Sequence, residues 1–136
     1  MLNVFPGLLT YTFFAPTILR LAVAITLFIM AGHTWRHRQH LMHVRLLWLA
    51  PEGWMPYVAT LGECILGVFF FIGLYTQVAA IVGIVGMVKY AIYRHWWPDM
   101  VTEYFPIAPG TAWLIAIICL SLLLTGAGAG AFDIPL

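Results

Sequence analysis

Residues 56–95 read PYVATLGECILGVFFFIGLYTQVAAIVGIVGMVKYAIYRH, two apolar runs separated only by the Tyr75–Gln77 region. About 20 apolar residues cover the ~30 Å hydrocarbon layer of a bilayer when helical. Residues 56–75 and 77–95 are therefore predicted as two spanning helices. A connection this short forces them into an antiparallel hairpin.

Working outward, residues 16–35 and 110–126 have the same character, and Pro16 suits a first helical turn. The predicted architecture is all-α: an integral membrane, antiparallel four-transmembrane-helix bundle forming one domain over 1–136. Gly62, Gly67, Gly73, Gly83 and Gly86 would let backbones approach closely.

Composition supports this. The chain is 63% hydrophobic and 8% charged, with mean hydropathy +0.97, too little polar surface for a small soluble domain. A formal net charge of +1 gives no broad basic field for nucleic acid. Cys64 and Cys119 both sit in apolar runs, without CxxC spacing, and read as buried thiols.

The ends of the runs carry interface chemistry. Trp35, Trp48, Trp54, Trp96, Trp97 and Trp113 lie near predicted helix ends or in loops, where amphipathic rings meet the headgroups. Arg36, Arg38, Arg45 and Arg94 lie in or beside the two longer loops. The excess of positive charge places those loops in the cytoplasm and both termini outside. The opening MLNVFPGLLTYTFFAP lacks a basic n-region and a small-x-small cleavage site, so it reads as a retained interfacial lead-in.

Charges inside the runs are the candidate site. Each costs roughly 2.5–3.5 kcal/mol at a helix centre on insertion scales. Glu63 and Lys89 fall at similar depth on hairpin neighbours, with His33 near the same end of the first helix. The three are expected either as a structural polar clasp or as a quinone-head or proton-handling site. Arg20 and Asp133 form a second expected pair, closing the bundle on the termini side.

In GHTWRHRQHLMH, His33, His37 and His40 share a face if the first helix continues. They are candidate metal or haem ligands. The interleaved Arg36, Arg38 and Arg45 equally describe a basic segment on the membrane surface or a docking surface for a partner. GAGAGAFD follows an apolar helix rather than a strand, so it is no dinucleotide loop.

Three stretches resemble the DoxX-like family of small four-span proteins, mostly of bacteria and archaea. LRLAVAITLFIMAGH carries Arg20, Gly32 and His33, matching an arginine-led first helix. GECILGVFFFIGLYTQVAA carries Glu63 and the Gly73-Leu74-Tyr75-Thr76 turn. LLLTGAGAGAFD carries Gly126, Gly128 and Asp133. Gln77 stands where that family often has arginine. The resemblance implies a prokaryotic cytoplasmic membrane protein, an accessory subunit to larger redox subunits, with quinone as the associated cofactor. Alternatives of other classes are a haem- or metal-binding protein, a homo-oligomer, or a purely structural bundle.

Overall fold

The computed structural model describes residues 14–41, 54–96, 107–126 and 128, the side chains of residues 40, 41, 55, 93 and 109 excepted. The N-terminal lead-in up to residue 13, Arg45, Trp48, Trp97 and Asp133 lie outside the described residues. Every element among those described is helical. The helices are α1 (Ala15–Arg36), the one-turn α2 (Arg38–Leu41), α3 (Met55–Ile72), α4 (Thr76–Trp96) and α5 (Pro109–Thr125).

Proline opens the first turn of α1, α3 and α5. Its missing N–H would find no acceptor there, and its φ is preset for the helix. The second apolar run stops being helical at Gly73, three residues short of the boundary expected at 75. Gly73 turns left-handed at φ 76°, and Leu74 N–H reaches back to Phe69 O at 3.1 Å. That bond ends a helix in a Schellman-type turn. Tyr75 also adopts positive φ, 48°, and its carbonyl accepts the first bond of α4, from Ala79 at 2.9 Å.

The four long helices close a ring. α1 packs most intimately on α3 and α4 on α5; α1–α5 contacts are fewer, and the consecutive α3 and α4 touch least. Two glycines account for the close pairs. A methyl group at Gly67 would meet the Phe28 ring at 3.0 Å, and one at Gly83 would meet Cys119 Sγ at 3.0 Å. Gly62 and Gly86, expected to act alike, face open space.

The core mixes small and polar side chains with larger apolar ones. Ala24, Ala31, Ala79, Ala80, Ala112, Ala116, Thr34 and Thr76 are buried, whereas Ile25, Ile29, Ile65, Ile81, Val85, Ile117 and Leu124 are exposed. The buried residues nevertheless form one continuous cluster around Val23, Leu27, Met30, Phe70, Met87 and Leu122. α1 and α4 are long and apolar enough to cross a membrane; Pro56–Ile72 and Gly110–Thr125 are shorter apolar helices.

Helix hydroxyls are satisfied locally: Thr26, Thr34, Thr60 and Thr125 each donate to the carbonyl four residues back, at 2.7–3.0 Å.

Candidate functional site

Glu63 sits on the stripe of α3 that carries the buried Pro56, Thr60, Gly67 and Phe70, and is itself half-buried. The matching stripe of α1 carries Leu27, Met30, Ala31 and Thr34, the last only 1% exposed. The two stripes meet at Thr34 and Glu63, where the hydroxyl lies 3.4 Å from Glu63 Oε2. The same hydroxyl donates to Met30 O at 3.0 Å. One hydroxyl proton cannot serve both acceptors well, and the shorter bond takes it. Glu63 is thus a carboxyl in an apolar helix pair with one weak, neutral partner among the described residues.

The α4–α5 pair contributes the other polar groups at this end. Tyr90, buried, donates its hydroxyl to Ile107 O at 2.6 Å. Arg94, one turn on, donates to both Tyr90 Oη and Ile107 O at 2.9 Å. Tyr90 and Arg94 thereby fasten the approach to α5 onto the end of α4. The Tyr-x-x-x-Arg spacing of one helical turn was the available signal for this pair; the carbonyl acceptor carries none. Thr34, Thr60, Glu63 and Tyr90, with Arg94 outside them, make this end of the core polar.

The remaining expected residues are placed differently. Lys89 is exposed on α4, and among the described residues no ion pair joins it to Glu63. Lys89 lies off the stripe of Gly83, Met87 and Tyr90 that faces the core.

His33 follows Thr34's helix one residue earlier, so it points about 100° away. Its ring stacks on His37, centroids 4.2 Å apart, while Nδ1 of His37 contacts His33 O at 3.1 Å. Helix α1 ends at Arg36 and α2 resumes at Arg38, so His40 follows on a separate turn, its side chain outside the described set. Stacked imidazoles present faces to each other; chelation would need a lone pair from each aimed at one point. Among the described residues no three His, Cys, Asp or Glu side chains come together. Arg20 is buried at the opposite end of the core, whereas Asp133 lies outside the described residues.

The rim of the polar end is aromatic and basic. Arg38 lies over the Trp35 ring at 4.6 Å, and Trp35 meets Tyr57 edge-on at 5.8 Å, joining α1 to α3. Trp54, Trp96 and Trp113 are exposed at this same end, from α3, α4 and α5.

Set against known proteins, the chain matches no family model, no curated protein and no solved structure.

Proposed function

We propose that this chain is a four-span membrane bundle of the DoxX-like kind, serving as a small accessory subunit of a membrane redox complex. The polar end of its core is the head-group and proton site for a quinone. The observation carrying the reading is Glu63: a half-buried carboxyl between α1 and α3 whose described partner is the Thr34 hydroxyl at 3.4 Å.

The membrane setting is supported by the many large apolar side chains left exposed on the helices, Ile25, Ile29, Val85, Ile117 and Leu124 among them, around a core that also buries alanine and threonine. The tryptophan and arginine rim supports a headgroup interface at that end. With Arg36, Arg38 and Arg94 there, that end faces the cytoplasm of a prokaryotic cell and the termini lie outside.

The chemistry fits. Quinone carbonyl oxygens need hydrogen-bond donors, and reduction needs two electrons and two protons. Arg94 uses only Nη1 for Tyr90 and Ile107, so its guanidinium has further N–H donors to offer, and Glu63 supplies a group that can hold a proton in a water-poor site. Electrons come from larger partner subunits.

Purification in mild detergent tests this directly. The chain should copurify with redox subunits, and Glu63→Gln should abolish quinone turnover of that complex while leaving its assembly intact. Recovery of the chain alone, with no redox partner, contradicts the reading.

A further inference from the structure

Helices α1 and α3 touch at two places along their outer seam. Trp35 meets Tyr57 edge-on at 5.8 Å, and the Phe28 ring lies over Gly67. Phe28 and Trp35 are two helical turns apart, which sets the two contacts about 10 Å apart along α1. Phe28, Trp35 and Tyr57 are exposed although they bridge the helices, so both contacts lie at the surface of the bundle.

Between the two contacts the seam is open. Gly32 shares the stripe of Phe28 and Trp35, at i, i+4 and i+7. It is exposed, and a methyl group there would find nothing within 4 Å. Across the seam α3 presents Tyr57, Leu61 and Cys64 at the same spacing, Leu61 exposed and Cys64 half-buried. The result is an apolar notch with an aromatic contact at either end.

The Trp35 end of the notch is charged. Arg38 lies over the Trp35 ring at 4.6 Å and donates from Nη1 to Trp35 O at 3.1 Å. Two contacts with one residue hold the guanidinium at that end of the seam. Only Nη1 is used in the bond, so the planar fork has further N–H donors to offer. Arg36 and Arg94 add positive charge to the same rim, and the only acid among the described residues, Glu63, lies on the core stripe of α3.

We propose that this outer α1–α3 seam is the seat of one anionic phospholipid. Its phosphate takes the remaining donors of Arg38, a charge-assisted pairing that a guanidinium fork suits. The glycerol and ester region rests against Trp35 and Tyr57, rings that favour the headgroup level. One acyl chain runs down the notch over Gly32 towards Phe28. The excess of cations at the rim selects an anionic lipid over a zwitterionic one. Thr34 and Glu63 fall between the same two contacts, on the inner side of the seam, so the lipid closes the bundle over that pair. The inference rests on the membrane setting proposed above and not on the redox role.

The full chain, purified in mild detergent, is titrated with dioleoyl phosphatidylglycerol and separately with dioleoyl phosphatidylcholine. Native mass spectrometry counts the lipids retained per chain, and thermal unfolding in lipid-free micelles checks that each variant is folded. Wild type should retain one phosphatidylglycerol in preference to phosphatidylcholine. Arg38→Gln should weaken that retention about tenfold, the scale of a charged hydrogen bond. Gly32→Leu fills the notch and should abolish it, whereas Gly86→Leu, outward on α4, and Arg36→Gln should keep the lipid. Equal retention of the two lipids by wild type overturns the proposal, as does retention by Gly32→Leu. So does an equal loss in Arg36→Gln and Arg38→Gln, the result expected of diffuse attraction by a basic rim. Carbonate washing of membranes separates the two claims. A chain released by the wash overturns the membrane setting, and a chain that stays but fails the lipid comparison overturns the site alone.

Discussion

Thr34 Oγ1 stands 3.0 Å from Met30 O and 3.4 Å from Glu63 Oε2, so one hydroxyl couples the backbone of α1 to the carboxyl of α3. The nearer acceptor holds the proton, and among the described residues the carboxyl keeps a weak neighbour rather than a counter-ion. On the proposed function, this carboxyl is the group that would exchange protons.

Removing either partner should reveal the coupling. Thr34→Val and Glu63→Gln are each expected to cost about 1 kcal/mol, the scale of one net hydrogen bond. The double variant should cost less than the sum by about 0.5–1 kcal/mol, as contacting residues do. Unfolding in mixed micelles measures the cycle; strict additivity would mean the contact carries no energy.

The two glycines of α4 should behave oppositely. Gly83→Ala drives a methyl group against Cys119 Sγ at 3.0 Å and should destabilise the α4–α5 pair by about 1–3 kcal/mol. Adding Cys119→Ala should recover most of that loss. Gly86→Ala meets open space and should be neutral or slightly stabilising through helix propensity. Equal effects at the two positions would show that the close approach at Gly83 does not exist.

Tyr90→Phe removes the hydroxyl that donates to Ile107 O and accepts from Arg94. A loss of about 1–2 kcal/mol is expected, because the part-buried carbonyl and the guanidinium each lose a partner. Faster amide exchange at the start of α5 should accompany it. Unchanged exchange there would mean Tyr90 does not fasten that segment.

Much of the fold is legible in the chain because apolar runs, opening prolines and the Gly73 stop are local signals. The helix bounds fall close to the run bounds for that reason. Depth is legible too: Glu63, Lys89 and Arg20 announce themselves as charges in apolar sequence. Direction around the helix is not given by depth. Lys89 is exposed on its helix, whereas Glu63 is half-buried on the core stripe of its own. Thr34, the residue that does meet Glu63, is hidden because threonines are ordinary in such helices and only the α1–α3 register singles it out. Of the histidine row, His33 and His37 stack on one face, and the side chain of His40 lies outside the described set. Gly62 and Gly86 look identical to Gly67 and Gly83 until the partner helices are in place.

The most direct measurement is the quinone content of the purified complex. The complex is isolated from membranes in mild detergent, extracted with organic solvent, and quinone per chain is quantified for wild type, Glu63→Gln and Thr34→Val. Bound quinone in wild type, lost in Glu63→Gln and reduced in Thr34→Val, is the predicted result. Absence of quinone from wild type, or equal amounts in all three, would contradict the assignment of Glu63 and Thr34 to a quinone site.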